Sequence, residues 1–372
     1  MPRLTLITEQ CLAAIPGGTG RYTHDVARAL AVAAPADWTI EGVTAWHRDV
    51  RDARISGVAG PRRLPVGRRV LTALWERGLP PLEGGDVIHA TTPLAPVRSR
   101  FPGRGKGALV VTVHDAVPFT HPELLTPRGA VWHRRMIAAA AREASAIVVP
   151  TQAVADELTH HVSIAGRLAV IGEGVAEAFA EPATAYAVHA ARRRHQLPSR
   201  YLVSVGTLEP RKGLATTIRA LGDLPDDVEL AVVGPSGWGD ALGAIDPALK
   251  RRVRLLGRLS DEDMAAVVTG ATASIHASSS EGFGLPLVEA MSVGTPTVHT
   301  AIPVFLEVGA GAGLTFPVAD HAALAQQIQR LLTSRDVHST AREAGLAVAA
   351  EHRWDTAARQ LWDLYRELAA RR

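Results

Sequence analysis

The chain has 372 residues, of which 47% are hydrophobic and 21% charged, a balance typical of a globular enzyme. Its formal net charge is +3 and its one cysteine is Cys11, which excludes an internal disulfide framework and suits a reducing cytoplasm. No segment approaches the ~18 consecutive apolar residues of a membrane-spanning helix, and no Cys/His spacing indicates a zinc site. We therefore expect a cytoplasmic protein of two or three domains.

The charge is unevenly distributed along the chain. Residues 1–172 hold 20 Lys and Arg against 14 Asp and Glu, a net charge of +6. Residues 173–372 hold 20 against 23, a net charge of −3. A basic N-terminal half suits an anionic acceptor or peripheral contact with the inner face of the cell membrane. Compositional drift in an arginine-rich chain is the alternative, and no nucleic-acid partner is expected.

Short apolar runs alternate with helical patterns from the first residues onward. In the first half, strands are predicted at residues 4–8, 38–45, 87–89, 109–113 and 146–149, and helices at 22–34 and 128–142. The apolar part of the first strand is too short for a signal peptide. A continuous apolar strand followed by a helix is typical of a parallel sheet covered on both faces.

Residues 57–78 combine five arginines with apolar residues near helical spacing. The apolar members are Val66, Val70, Leu74 and Trp75, and the arginines are Arg62, Arg63, Arg68, Arg69 and Arg77. One interpretation is a basic amphipathic helix that lies on a membrane. The other, which the pattern favours, is a helix packed on its own sheet with a solvated face.

The second half repeats the alternation of strands and helices. Strands are predicted at residues 201–205, 229–233, 253–256, 273–276, 297–299 and 314–316, with helices at 214–221, 261–269 and 322–332. About a dozen strands exceed what one open sheet usually holds, so we predict an α/β protein of two doubly wound domains. We place the domains at residues 1–172 and 173–350, and a closing helix at 351–372 that crosses back to the first domain.

Polar or glycine-rich loops follow several of these strands. Gly17 and Gly18 follow the first strand, His114 and Asp115 follow the strand ending at residue 113, and Gly206 follows the strand ending at residue 205. Ligands of open parallel sheets bind outside the carboxyl ends of the strands. The loops therefore predict one ligand held in the cleft between the two domains.

The most informative segment is residues 281–291, in which Glu281 and Glu289 flank the start of a helix. Pro286 suits the first turn of that helix, and Leu285 and Met291 belong to its buried face. A helix start binds phosphate through its free N–H groups, and a nearby carboxylate can accept hydrogen bonds from hydroxyls. Phosphate and hydroxyls together describe a nucleotide sugar.

Residues 206–213 add positive charge. Gly206, at a strand end, lets the backbone approach a ligand closely. Arg211 and Lys212 then place a guanidinium and an ammonium beside a helix start, and both groups suit phosphate oxygens. A solvated basic pair is the alternative, which the glutamate pair of residues 281–291 disfavours.

These segments resemble the retaining glycosyltransferases of family 4 (group 1), which have the GT-B fold of two Rossmann-like domains facing a central cleft. The matching segments are Gly206-Thr207-Leu208-Glu209-Pro210-Arg211-Lys212-Gly213 and Glu281-Gly282-Phe283-Gly284-Leu285-Pro286-Leu287-Val288-Glu289-Ala290-Met291. Further matches, at residues 257–264 and 294–298, follow in the family's order, and the resemblance covers nearly the whole chain. Residues 113–122 resemble a subgroup that contains many mannosyltransferases.

The resemblance implies a role for each matching residue. Arg211 and Lys212 would neutralise the donor diphosphate, Glu289 would bind the ribose, and Glu281 would contact the transferred sugar. The nucleotide-sugar site would also include Gly17, Gly18, Gly206, Leu259, Gly282, Phe283, Gly284 and Leu285. His114 would donate to the sugar, with Asp115 behind it. The family's Asn-Gly-Val-Asp segment is replaced here by Gly172-Glu173-Gly174-Val175-Ala176, so no site residue is assigned there.

The resemblance implies transfer of a hexose from a nucleotide-diphosphate sugar to a hydroxyl acceptor such as a polysaccharide, a glycolipid or a small aglycone. GDP-mannose is the favoured donor, and a UDP-sugar such as UDP-glucose comes next. No further cofactor and no metal are expected, because Asp261-Glu262-Asp263 follows Ser260 in a capping pattern. Alternatives are a non-hydrolysing sugar-nucleotide epimerase and a non-catalytic nucleotide-sugar-binding protein. The glycine spacing disfavours a dinucleotide dehydrogenase.

Overall fold

The computed structural model describes residues 1–79, 82, 85–97, 107–237 and 246–371. The chain divides into two compact units. The first consists of Met1–Gly174 and Arg353–Arg372, and the second of Val175–His352. The predicted domain limits at residues 172 and 350 each lie two residues before these division points.

The first unit contains a seven-stranded parallel sheet in the order β3-β2-β1-β4-β5-β6-β7. The strands are β1 (Arg3–Ile7), β2 (Thr39–Thr44), β3 (Ala59–Arg63), β4 (Val87–Ala90), β5 (Ala108–Thr112), β6 (Ala146–Val149) and β7 (Arg167–Val170). The helices are α1 (Gly17–Val32), α2 (Arg68–Trp75), α3 (Val117–Thr120), α4 (Pro127–Glu143), α5 (Gln152–His161) and, after the second unit, α14 (Trp354–Ala370).

Helices α1 and α14 pack together against one face of this sheet. Val26 and Leu30 of α1 share a buried cluster with Leu361 and Tyr365 of α14 and with strand residues such as Leu4. The indole N–H of Trp362 donates to the carbonyl of Leu30 at 3.1 Å. Helix α14 therefore belongs to the core of the first unit, although most of the chain separates it from α1.

The second unit contains a six-stranded parallel sheet in the order β10-β9-β8-β11-β12-β13. The strands are β8 (Tyr201–Val205), β9 (Glu229–Val233), β10 (Val253–Gly257), β11 (Ala273–His276), β12 (Thr297–Thr300) and β13 (Leu314–Phe316). The helices are α6 (Ala185–Arg194), α7 (Leu214–Ala220), α8 (Pro247–Lys250), α9 (Asp261–Thr269), α10 (Leu285–Ser292), α11 (Pro303–Gly309), α12 (His321–Thr333) and α13 (Arg335–Ala349).

The predicted fold class is confirmed, since each unit is a Rossmann-like parallel sheet flanked by helices. Two strands were not predicted, β3 and β7, and both lie at edges of the first sheet. Strand β3 contains Pro61 and two arginines, and β7 is short and only partly buried. Edge strands tolerate proline and charge because one side forms no ladder, so they carry little apolar pattern.

Two sequence-based assignments in the first unit need correction. Helix α1 begins at Gly17 rather than at residue 22, so Gly17 and Gly18 form its first turn and not an open loop. The predicted helix within residues 57–78 is shorter, because Arg62 and Arg63 belong to β3 and only Arg68–Trp75 is helical. Leu71 and Trp75 of α2 are buried at 1% exposure, which accounts for the packing of this helix on its own unit.

None of the helices in the described residues is both long and apolar enough to cross a membrane.

Candidate functional site: an ion cluster in the second unit and a histidine–glutamate pair in the first

The loop after β8 places two cations beside the loop after β11. A short 3-10 turn, Pro210–Lys212, ends at Gly213, whose φ is +64°. A Cβ at Gly213 would lie 2.1 Å from the carbonyl oxygen of Ala277. Only glycine fits this backbone angle and this close approach, so Gly213 allows the two loops to touch.

Arg211 and Lys212 converge on the carboxylate of Glu281. Lys212 Nζ donates to Glu281 Oε1 at 2.6 Å, and Arg211 Nη1 donates to Glu281 Oε2 at 3.1 Å. Ser278 Oγ also donates to Oε1, at 2.6 Å, and Arg211 Nη2 donates to Glu209 at 2.7 Å. We call Glu209, Arg211, Lys212 and Glu281 the ion cluster; its two positive and two negative charges balance.

The ion cluster is largely shielded from water, which strengthens its electrostatics. The side chains of Arg211, Lys212 and Glu281 are 17%, 21% and 11% exposed. Burial opposes ionisation of Glu281, but the charges of Lys212 and Arg211 outweigh it and lower the pKa of Glu281 to about 2. Glu281 is therefore an anion throughout the physiological range and is unsuited to donate a proton.

Helix α10 begins directly after the ion cluster. Gly284, with φ +93°, precedes its first residue, Leu285, and a Cβ at Gly284 would lie 2.6 Å from the ring of Phe305. The first backbone N–H groups of a helix have no partner within it and favour anions. Glu289 follows within the same helix and is 2% exposed, so its carboxylate lies inside the unit.

A pocket in the second unit lies at the carboxyl ends of β8 and β11. Its walls include Gly206, Thr207, Lys212, His276, Ser278, Glu281, Gly284 and Phe305. The structure thus brings together Gly206, Lys212, Glu281 and Gly284, which the sequence assigned to one site. Cationic, anionic and backbone groups lie around the same space, an arrangement suited to a ligand that has both phosphates and hydroxyls.

His276 was missed by sequence reasoning, although it is the last residue of β11. Its ring nitrogen Nε2 lies 3.0 Å from Ser274 Oγ, and its ring contacts Phe305 edge-on. Burial and the neighbouring His299 lower the pKa of His276 to about 3, so the ring is neutral. The one available signal was its position at a strand end, where ligands bind.

Leu259 lies between β10 and α9, and the acidic triplet, Asp261-Glu262-Asp263, forms the first turn of α9. Ser260 caps α9 as predicted, because its Oγ accepts from the backbone N–H of Asp263 at 3.2 Å. The carboxylate of Asp263 pairs with Arg194 and lies 3.5 Å from His195. Across the described residues, no group of three or more His, Cys, Asp or Glu side chains could hold a metal ion.

In the first unit, His114 is held between two oxygens. Its Nε2 lies 2.9 Å from the carbonyl oxygen of Thr91, and its Nδ1 lies 3.5 Å from Glu173 Oε1. Tyr22 packs against the ring with its centroid 4.6 Å away. Burial lowers the pKa of His114, but the Glu173 carboxylate and the Thr91 carbonyl outweigh burial and raise the pKa above its usual 6.5.

Glu173 was also missed, because sequence reasoning assigned no site residue to this segment. Its side chain is 5% exposed, and a buried carboxylate needs a partner, which His114 supplies.

Asp115 accepts from the backbone N–H of Val117 at 3.1 Å and so stabilises the turn before α3. Gly17 and Gly18 are exposed, and a Cβ on either would meet no heavy atom within 4 Å.

Two Rossmann-like parallel-sheet units, with charged and glycine-rich loops at their strand ends, are the architecture of the GT-B fold class. Comparison with known families agrees. Residues 16–179 match the model "Glycosyltransferase Family 4", and residues 189–348 match "Glycosyl transferases group 1". The chain belongs to this family of glycosyltransferases.

Individual relatives share only part of their length or a low sequence identity with this chain. The O-antigen chain mannosyltransferase B of Escherichia coli is 32% identical over 175 residues, which are 45% of this chain and 46% of that protein. The chain spans about half or less of the length of the curated relatives it matches. Among solved structures, sucrose-phosphate synthase from Thermosynechococcus elongatus superimposes with a TM-score of 0.78 over 100% of both chains, at 24% identity. Anabaena HepE in complex with UDP-glucose gives a TM-score of 0.77 over 99% of this chain and 100% of that one, at 19% identity.

Proposed function

We propose that the protein is a retaining, metal-independent glycosyltransferase that moves a mannosyl group from GDP-mannose to a hydroxyl acceptor. The observation that carries the proposal is the ion cluster, in which Arg211 and Lys212 meet Glu281 beside the start of α10. Family membership supports transferase chemistry. The mannosyltransferases among the curated relatives favour mannose over glucose.

The donor diphosphate would bind Arg211 and Lys212. Glu281 and Glu209 pair with these cations in the structure. A diphosphate at the start of α10 would compete for the same guanidinium and ammonium groups, and the helix N–H groups would add donors. As the bond to the sugar breaks, negative charge grows on the departing phosphate, and fixed cations then stabilise the transition state more than the ground state.

Glu289 and Glu281 would bind the hydroxyl groups of the donor. Glu289 lies one helical turn inside α10 and would accept hydrogen bonds from the ribose. Glu281 would orient the transferred sugar, with Gly282, Phe283, Gly284 and Leu285 contributing backbone groups. Gly206 would let the donor approach β8, and Leu259 would contact the base. Gly17, Gly18 and His114 belong to the first unit, where they would contact the donor or the acceptor.

Retention of anomeric configuration would follow from departure and attack on the same face of the sugar. A double displacement needs a carboxylate nucleophile on the opposite face. Glu281 suits this role poorly, because two cations and Ser278 already bind its oxygens. In the front-face route, the departing phosphate accepts the proton of the acceptor hydroxyl. Asp263 pairs with Arg194, which disfavours the acidic triplet as a metal site.

The acceptor would be a growing polysaccharide, a glycolipid or a small aglycone, and the basic first unit would suit an acceptor at the inner face of the membrane. The direct test is incubation with GDP-mannose or UDP-glucose and a panel of such acceptors. We expect release of GDP only when acceptor is present and a product with the donor's anomeric configuration by NMR. Epimerised donor without acceptor would instead indicate the epimerase, and an unchanged donor with every acceptor would indicate a binding protein.

A further inference from the structure

Glu173, the buried partner of His114, is not among the residues that the sequence assigned to the site. Both ring nitrogens of His114 face oxygens: the Thr91 carbonyl at 2.9 Å and the Glu173 carboxylate at 3.5 Å. A carbonyl oxygen and an ionised carboxylate can only accept hydrogen bonds. A neutral imidazole has one donor nitrogen and would leave a lone pair facing one of these oxygens, whereas the imidazolium donates to both.

The surrounding residues hold Glu173 where it is. A Cβ at the next residue, Gly174, would lie 2.3 Å from the backbone nitrogen of Trp354, so the absence of a side chain there lets the start of α14 lie against this segment. The Trp354 ring packs on Tyr22 at 5.8 Å, and Tyr22 packs on His114. A closed set of contacts within the first unit therefore fixes both members of the pair.

Other ionisable groups near His114 come from each neighbouring element. Asp115, on the same loop, also raises the pKa of His114 through its charge. A charged His89, on β4, would oppose the imidazolium form of His114. Burial lowers the pKa of His89 to about 3 and keeps His89 neutral. Tyr22 of α1 has its pKa raised by burial and stays protonated. Glu173 is therefore the main charged partner of His114 that the structure describes.

We propose that Glu173 is a positioning residue for His114: it holds the ring as an imidazolium that bridges Glu173 and Thr91 at neutral pH. The catalytic meaning of this proposal rests on the proposed function, in which His114 belongs to the donor site. The segment that supplies Glu173 departs from the family's Asn-Gly-Val-Asp. An asparagine amide, being neutral, would not favour the charged ring in this way.

The test is the titration of His114 in full-length protein with 15N-labelled histidine, assigned by the signal lost in His114→Gln. In the wild type we expect both ring nitrogens to show imidazolium shifts at pH 7. In Glu173→Gln the midpoint should fall by about one pH unit or more, roughly tenfold in proton affinity. Glu173→Asp should restore part of the shift, and Glu123→Gln, at an exposed position, should change nothing.

Turnover supplies a second readout. In Glu173→Gln the loss of kcat/KM at rising pH should begin about one unit lower than in the wild type, with activity regained at acidic pH. A purely structural role would lower activity equally at every pH. A neutral His114 in the wild type at pH 7, or an unchanged midpoint in Glu173→Gln, would overturn the inference. The wild-type spectrum depends neither on Glu173→Gln nor on glycosyl transfer. Absence of transferase activity would therefore refute the proposed function alone.

Discussion

The ion cluster of the second unit and the His114–Glu173 pair of the first unit both surround a buried carboxylate with positive charge, but by different means. Glu281 meets a lysine and an arginine, two residue types that carry a positive charge at neutral pH. Glu173 meets a histidine, whose charge depends on that carboxylate. The second unit therefore offers an anion-binding group whose positive charge does not depend on its carboxylate partner, whereas the positive charge of the first unit depends on the titration of His114.

The largest expected effect comes from removing one permanent cation. Lys212→Ala should lower kcat/KM for GDP-mannose by about 10²–10³-fold, because the charge that stabilises the departing diphosphate is lost. Lys250→Ala is the matched control, since Lys250 is exposed on α8 and should leave the rate unchanged. Near-normal kcat/KM in Lys212→Ala, measured at saturating acceptor, would remove Lys212 from the catalytic site.

The next effect tests whether the backbone geometry at Gly213 keeps the two loops of the ion cluster together. Gly213→Ala should lower the free energy of unfolding by about 2 kcal/mol or more, since the new Cβ would meet the Ala277 carbonyl at a positive φ. Gly222→Ala is the control, because its Cβ would meet only Leu249 side-chain atoms near 4 Å. Equal urea denaturation midpoints for the two variants would contradict the role of Gly213.

A smaller effect is expected at the nucleotide end of the site. Glu289→Gln should weaken GDP binding by about tenfold, because a neutral amide accepts weaker hydrogen bonds from the ribose than a carboxylate does. The donor sugar preference should stay the same. Titration calorimetry measures the affinity, and Glu262→Gln, on the exposed side of α9, is the control. An unchanged affinity for GDP would contradict the ribose assignment.

The last expected effect is confined to acidic pH: it is the pH dependence of stability that Glu281 contributes. Its pKa is lowered to about 2 from 4.5, so its stabilisation is complete above pH 4.5 and is lost as the pH falls towards 2. Relative to Glu281→Gln, the wild type should lose more of its unfolding free energy across that interval, by up to about 3 kcal/mol. Parallel pH profiles of the two proteins would show that the cations do not hold this carboxylate.

Much of the fold could be predicted from the sequence because buried parallel strands are continuous apolar runs. Strands β8, β9 and β11 have the bounds that their apolar residues predicted. The edge strands β3 and β7 could not be found in this way, because partly exposed edges need no apolar run. The start of α1 was placed too late, since Gly17 and Gly18 argue against a helix by propensity yet form its first turn.

The candidate site likewise contains residues that could be predicted from local sequence patterns and residues that could not. Arg211, Lys212 and Glu281 lie in short segments whose residue types indicate phosphate and hydroxyl binding, and the structure brings them into contact. Glu173 and His276 were missed because their surroundings come from distant parts of the chain. Glu173 is of interest because it contacts His114, which lies 59 positions earlier. No local sequence pattern indicates that contact. His276 is at the end of an ordinary buried strand.

The central claim is that the second unit binds a nucleoside diphosphate through Arg211 and Lys212. The most direct measurement is a thermal-shift series with GDP, UDP, ADP and TDP on the wild type and on Lys212→Ala. A ligand that binds only the folded state raises the Tm in step with its affinity. We expect the largest Tm rise with GDP and loss of most of that rise in Lys212→Ala. An equal rise in both proteins, or no rise with any of the four nucleotides, would contradict it.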